Sequence, residues 1–275
     1  MKTITGKTVV LTGASGGIGE FIARALAKEQ ATVVGVSRSQ EGLDRICAEV
    51  EAAGGRGISI RFDVSKLEEL PTLVQQIHQL VGSIDILINN AAIEKYRPFQ
   101  DYTLEDTQSI LTTNLLAPIE LTRLVLPTML DRNSGHIVNI ASLAGKKGAP
   151  YNSIYSASKA GLIMWSDAIQ QELAGTNVGV SVVCPGYTDA GMFHVLDIKP
   201  PSAAHVAQPT EVADAVLQSI KQNQKEVILD GVASKILFAI SQLSPQFGDA
   251  VFRQVGVVDV NQNCAQRQMH VGNLV

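Results

Sequence analysis

Short runs of β-branched and aliphatic residues alternate with longer amphipathic stretches from the first residues to about residue 230. The runs fall at 7–11, 32–37, 57–62, 84–89, 135–140, 178–184 and 226–229. Between them apolar residues recur at helical spacing, as in Phe21, Ile22, Ala25 and Leu26, or Leu70, Leu73, Val74, Ile77 and Leu80. This alternation predicts an α/β fold: a doubly wound, Rossmann-type parallel sheet of about seven strands, with right-handed crossovers and helices on both faces. No repeat or low-complexity linker divides it, so 1–258 is read as one domain.

Two segments break the rhythm. Residues 187–209 form a long irregular stretch with an apolar cluster, Met192, Phe193, Val195 and Leu196; loops of that length in compact domains are usually lids. Residues 232–256 return to helical spacing through Ile236, Ile240, Leu243, Phe247 and Val251, interrupted by Pro245, and predict a C-terminal helical extension. From Asp259 to 275 the chain is polar and reads as a frayed tail.

The first strand runs into Thr12-Gly13-Ala14-Ser15-Gly16-Gly17-Ile18-Gly19, and a helix follows. Glycines here let backbone N–H groups approach an anion, and the helix N-terminus adds partial positive charge. A tight structural turn can look the same, but the strand–turn–helix setting favours dinucleotide binding. The second strand ends in Ser37-Arg38-Ser39 with no carboxylate to grip an adenosine ribose 2′-hydroxyl. Arg38 can fork onto a 2′-phosphate, and Ser37 and Ser39 can donate to it, so NADP(H) is expected over NAD(H).

Charge and cysteine content narrow the remaining classes. A net charge of −4 without any basic run argues against a nucleic-acid surface. Three widely spaced cysteines suggest neither a disulfide framework nor a metal site; Cys47 and Cys184, in apolar stretches, read as buried core residues. With no signal-peptide-like segment and no run of apolar residues long enough to span a bilayer, a cytoplasmic location is expected.

The motifs taken together resemble the short-chain dehydrogenase/reductase family in its single-domain form. The turn matches TGxxxGxG; Asn89-Asn90-Ala91-Ala92 is similar to NNAG with Ala92 in place of the last glycine; Ser142 ends the fifth strand; Tyr155-Ser156-Ala157-Ser158-Lys159 supplies YxxxK; and Pro185-Gly186 follows the sixth strand. The resemblance runs from about residue 5 to 190. It implies Asn114, Ser142, Tyr155 and Lys159 as the catalytic set, with Asn114 holding a water in a proton relay and Lys159 also binding the nicotinamide ribose. It further implies cofactor contacts from Gly13, Ser15, Gly16, Gly17, Ile18 and Gly19, and from Asp63 and Val64 at the adenine. Asn90 and Ala91 would lie near the adenosine ribose, and Pro185, Gly186 and Thr188 near the carboxamide. Asp63 could equally cap a helix, and Asn90 could merely order its turn. Ala190 stands where the family often carries a threonine. The resemblance also implies a homodimer.

Chemistry supports the triad. Tyr155 and Lys159 at i, i+4 share a helix face, and a phenol near its ordinary pKa is a weak acid at neutral pH. A neighbouring ammonium is therefore expected to lower the Tyr155 pKa, while Ser142 donates to the same substrate oxygen. The expected walls of the substrate pocket are 93–99, 144–154 and the lid, and their apolar residues suggest an acyl, steroid-like or other bulky carbonyl compound. Lys146 and Lys147 could meet an anionic substrate group or be a solvated loop. The extension 232–256 could be buried against the domain or rest on a membrane surface through Ile236, Leu237, Phe238 and Phe247. The leading expectation is an NADPH-dependent carbonyl reductase. Its rivals are an NAD-linked alcohol dehydrogenase of the same fold and a non-catalytic dinucleotide-binding sensor.

Overall fold

The computed structural model describes residues 1–190, 199–201 and 204–272. Its centre is a seven-stranded sheet made of β1 (Thr8–Thr12), β2 (Thr32–Ser37), β3 (Arg56–Arg61), β4 (Ile86–Asn89), β5 (Gly135–Ile140), β6 (Val178–Pro185) and β9 (Glu226–Leu229). The order is β3-β2-β1-β4-β5-β6-β9 and every pairing is parallel. Two-residue strands β7 (Tyr187–Thr188) and β8 (Val206–Ala207) pair at the base of the expected lid. Residues Met192, Phe193, Val195 and Leu196 of that lid lie outside the described residues.

The helices are α1 (Ile18–Lys28), α2 (Gln40–Ala52), α3 (Leu70–Val81), α4 (Leu104–Leu111), α5 (Ala117–Asp131), α6 (Ser153–Glu172) and α7 (Pro209–Gln222), followed by α8 (Val232–Leu243), α9 (Pro245–Val255) and α10 (Val257–Gly272). Parallel strands need long crossovers, and covering both faces makes the strands nearly continuous apolar runs. Accordingly β4, β5 and β6 are buried along their whole length. One apolar layer joins Val9, Leu11, Ile22, Leu26 and Val216 on the α1–α7 side. The other joins Val10, Leu73, Ile77, Leu121 and Met129 on the α3–α5 side.

The helical stretch Leu104–Asp131 is long and apolar enough to cross a membrane by length and composition. Its Leu121, Val125 and Met129 pack in the protein core, as a core helix of a folded domain does. Midway it loosens into a π-helical turn, Thr112–Leu116, which carries Asn114. Such single-turn bulges recur at functional sites because they re-aim one side chain.

Three expectations change. Residues 259–272 are not frayed: α10 runs through them because its polar residues find partners on the domain. Asn261 Nδ2 donates to the Pro150 carbonyl at 3.0 Å, the Tyr96 N–H donates to Gln268 Oε1 at 2.5 Å, and Cys264 and Ala265 pack on Tyr96. Cys47 is only half-buried, since α2 turns it partly outward, whereas Cys184 and Cys264 are buried. Lys146 and Lys147 are neither a solvated loop nor free for an anion: Lys146 pairs with Glu226, and Lys147 with Asp249 of α9 at 2.7 Å.

Candidate active site

Strand order reverses between β1 and β4, and the loops leaving their carboxyl ends flank that switch point, where open α/β sheets bind ligands. The glycine turn is built into this crevice by the chain that follows β4. Asn90 Nδ2 donates to the carbonyls of Thr12 and Gly13 at 3.0 and 3.1 Å, and the N–H groups of Asn90 and Ala91 donate to Thr12 Oγ1 at 3.0 and 3.1 Å. Asn90 therefore orders the turn through its side chain. Gly19 is the tightest position, since a Cβ there would sit 2.0 Å from the Gly13 carbonyl oxygen. By contrast, a Cβ on Gly16 or Gly17 would meet nothing within 4 Å. Gly17 has a φ of 53° and begins α1 with no side-chain cap; the Gly19 N–H donates to the Gly16 carbonyl at 3.0 Å, and the Ile18 amide at the helix start has no side-chain acceptor.

Around the tip of β2 lie the residues expected at the adenosine end. Ser15 and Ser37 share a hydroxyl hydrogen bond of 2.6 Å, which ties the glycine turn to that tip. Arg38 is exposed, with no ion-pair partner among the described residues. Ser39 Oγ accepts from the Gly42 N–H and caps α2, yet keeps its own proton to donate. Asp63 Oδ1 accepts from the Ser65 N–H and hydroxyl at 3.0 and 2.8 Å, which is the helix-entry alternative. Val64 is buried in the α3-side core. These groups fit a dinucleotide: an uncapped helix start behind open glycines for the pyrophosphate, and two hydroxyls beside one free guanidinium for a ribose phosphate.

Beyond β5 the catalytic candidates converge. Ser142 begins a short 3₁₀ turn, its Oγ accepting from the Ala144 N–H at 3.2 Å, and it hydrogen-bonds Tyr155. Lys159, one turn along α6, is 2 % exposed; its Nζ donates to the Ile140 carbonyl at 2.7 Å and lies 5.6 Å from the Tyr155 ring centre. Asn114 is fully buried and committed at both ends of its amide. It accepts from the Ile93 N–H at 2.8 Å and donates to the Ile93 carbonyl and Ser158 Oγ at 2.9 and 3.2 Å. Its π turn thus clamps the loop after β4 to α6.

The expected lowering of the Tyr155 pKa does not appear. Burial pushes this phenol well above its ordinary value, and the Glu94 carboxylate adds to the rise against the Ser142 hydrogen bond. Burial also lowers Lys159 to about 8, opposed by Glu94. Desolvation is thus the largest influence on the phenol, while the ammonium is bonded to a backbone carbonyl.

A cavity of about 320 Å³ opens on these groups and is lined by Ser142, Tyr155 and Gly186. Thr188, just beyond, is buried, with its hydroxyl turned to the Gly186 carbonyl at 3.3 Å; Pro185 closes β6. The far wall comes from the extension: Leu237 and Phe238 of α8, Phe252 and Val255 of α9, and Val257 and Asn261 of α10. Phe238 and Phe252 meet edge to face at 5.8 Å. Of the residues expected to sit either on the domain or on a membrane, Leu237 and Phe238 line the cavity while Ile236 and Phe247 are exposed.

A family model described as short chain dehydrogenase matches residues 7–200. The chain belongs to the short-chain dehydrogenase/reductase family. It is 55 % identical over 278 residues to "Ketoacyl reductase HetN" of a Nostoc species, covering 99 % of this chain and 97 % of that protein. It is 35 % identical over 221 residues to a 3-oxoacyl-[acyl-carrier-protein] reductase of a Synechocystis species, covering 78 % of this chain and 90 % of the relative. Among solved structures it resembles a metagenomic short-chain oxidoreductase in complex with NADP, at 32 % identity and a TM-score of 0.71, over 82 % of this chain and 96 % of that one. It also resembles an NAD⁺-bound xylitol dehydrogenase, at 27 % identity and a TM-score of 0.75, over 84 % of this chain and 100 % of that one. The protein is thus an oxidoreductase of this family with a nicotinamide-dinucleotide-binding fold.

Residues that the motifs did not flag complete this short-chain dehydrogenase/reductase site. Glu94 lies half-buried in the cavity wall, where the Tyr96 hydroxyl and Asn152 Nδ2 hydrogen-bond its carboxyl group. Burial raises its pKa, against those two hydrogen bonds and the Lys159 charge. A carboxylate among the wall residues 93–99 was visible in the sequence, but not its contact with α10, whose Gln268 bonds the Tyr96 N–H and the Glu94 carbonyl.

Proposed function

We propose that the protein is an NADPH-dependent reductase that converts an apolar ketone or aldehyde, with an acyl chain as the best-fitting class, to the alcohol. The observation that carries this reading is the convergence of the Ser142 and Tyr155 hydroxyls on one cavity whose opposite wall is aliphatic and aromatic. Ser142 hydrogen-bonds the substrate carbonyl oxygen and Tyr155 gives it a proton, so charge developing on that oxygen meets two donors. Lys159, fixed by Ile140, supplies positive charge behind the phenol. When bound, NADPH supplies the hydride that completes the alcohol. Arg38, free beside Ser37 and Ser39, supports a 2′-phosphate over a bare ribose.

The ketoacyl reductase names of two relatives support the acyl class, and the apolar wall suits such a chain. In this reading Asn114 positions the loop after β4, Gly186 and Thr188 flank the carboxamide, and Asp63, Val64, Asn90 and Ala91 flank the adenosine half. A homodimer through α5 and α6, where Leu116 just before α5 and Met164 on α6 are exposed, belongs to the same reading.

The test follows NADPH absorbance with 3-ketoacyl thioesters, simple aliphatic ketones, steroids and quinones. Ketoacyl thioesters are expected to turn over fastest, with NADPH used at least tenfold more efficiently than NADH. Equal use of NADH would remove the cofactor assignment, and absence of turnover across the panel would remove the reductase.

A further inference from the structure

Asn152 stands where α6 begins, three residues before Tyr155, and both side chains line the same cavity. Asparagine at a helix start ordinarily turns its Oδ1 back onto the first-turn N–H groups. Here it does not: the position has φ −135° and ψ 37° and makes no side-chain cap bond. The side chain instead points its Nδ2 at the Glu94 carboxyl. That donor–acceptor pairing fixes which end of the amide is which. The remaining end, Oδ1, is buried and has no hydrogen-bond partner among the described residues, in a residue only 1 % exposed. The residue before it, Tyr151, is held at a φ of 61°, in the left-handed region that a bulky side chain avoids. A forgone cap and an orphaned buried acceptor fall on one residue of the cavity wall, and the strained backbone on the residue before it. Buried polar atoms are rarely left unpaired, and strain of this kind collects where a ligand is handled.

We propose that Asn152, aimed by Glu94, is a substrate-recognition residue whose Oδ1 accepts a hydrogen bond from a hydroxyl or amide N–H that the carbonyl substrate carries near its reacting group. The proposal rests on the reductase reading above and narrows its substrate class. The substrate is then apolar over most of its length, to suit Leu237, Phe238 and Phe252, with one neutral donor close to the carbonyl. Glu94 serves as the positioning residue. Its carboxyl, held by the Tyr96 hydroxyl, takes one hydrogen of Asn152 Nδ2 and so fixes the amide with its unpartnered oxygen as the acceptor. A neutral donor suits a neutral amide oxygen, and a site built around such an acceptor rejects analogues that lack the donor.

The experiment compares matched ketones that differ only in the donor: hydroxyketones against their deoxy analogues, and keto-amides bearing N–H against the N-methylated forms. The wild-type enzyme is expected to favour the donor-bearing member by about tenfold or more in kcat/KM. Asn152→Ser should bring each pair to within about threefold, by slowing the donor-bearing member, while Tm holds or rises because serine is a good helix cap. Asn152→Gly, also tolerated at a cap, should lose the discrimination in the same way. Equal rates within every pair for the wild type, or a preference that survives both substitutions, would overturn the proposal and leave the reductase standing. No turnover of any ketone would overturn the reductase, and this inference with it.

Discussion

Lys159 Nζ donates to the carbonyl oxygen of Ile140 at 2.7 Å, so the buried cation of α6 is bonded to the last residue of β5. The ammonium is thereby fixed behind Tyr155 before any ligand arrives, and its charge depends on pH within an accessible range. Burial holds Lys159 at about 8, so the charged form is lost as pH rises through that value. We predict that kcat/KM for carbonyl reduction falls above about pH 8. Glu94 opposes the lowering, so Glu94→Gln should move the alkaline limb to lower pH. A limb that stays in place in the variant would show that Glu94 does not support the cation.

Removing the phenol hydroxyl alone should separate chemistry from binding. Tyr155→Phe is expected to lower kcat by roughly 10²–10⁴, the range typical of a lost general acid, with NADPH affinity nearly unchanged. Stopped-flow turnover and fluorescence titration of NADPH read the two effects separately. A variant that keeps its rate would exclude Tyr155 as the proton donor.

Arg38 offers the sharpest test of cofactor choice, since nothing in the fold depends on its exposed side chain. Arg38→Ala should weaken NADPH use by about 10–100-fold, as expected for a charge-assisted hydrogen bond, and leave NADH use within a few-fold. Parallel losses with both cofactors would place Arg38 outside the cofactor site.

Gly19 predicts a folding defect of steric origin. A methyl group there would lie 2.0 Å from the Gly13 carbonyl oxygen, and that oxygen belongs to backbone already bonded to Asn90. Gly19→Ala should destabilise the protein by roughly 1–3 kcal/mol and displace the glycine turn, whereas Gly16→Ala, with open space around its Cβ, should be far milder. Chemical denaturation of both variants checks the contrast; equal stabilities would contradict it.

His136 sets a pH limit on the fold. It is buried on β5 with Nε2 2.8 Å from Ser181 Oγ, and burial lowers its pKa to about 3. The unfolded chain protonates near the ordinary histidine value while the folded chain stays neutral. Stability is therefore full above pH 6.5 and declines as pH falls toward about 3. The loss at pH 4 should be roughly 3 kcal/mol. Unfolding midpoints between pH 7 and 4 should flatten in His136→Gln, and an unchanged slope would assign the acid sensitivity elsewhere.

The sheet was legible because parallel strands buried on both faces carry uninterrupted apolar runs, as 135–140 and 178–185 do. The grouping of Ser142, Tyr155 and Lys159 was legible because they lie in a fixed order along one strand–helix unit. Glu94, Asn152 and α10 were not. A carboxylate is expected in water, and the segments around Glu94 and Asn152 are bonded by Gln268 and Asn261 from far along the chain. Local periodicity carries no record of such a contact. The same blindness explains the tail: the polar face of α10 reads as solvated until Tyr96 and Pro150 supply its partners.

The wall formed by α8, α9 and α10 has a temporal meaning during synthesis. Domains begin to assemble from their N-terminal side as the chain emerges. The glycine crevice and the Ser142 and Tyr155 hydroxyls are all made before Val232, whereas Leu237, Phe252 and Val257 come afterwards. A nascent polypeptide paused at the last sheet strand would therefore hold the Ser142 and Tyr155 hydroxyls in an unwalled pocket, and emergence of the three helices that follow is what encloses them.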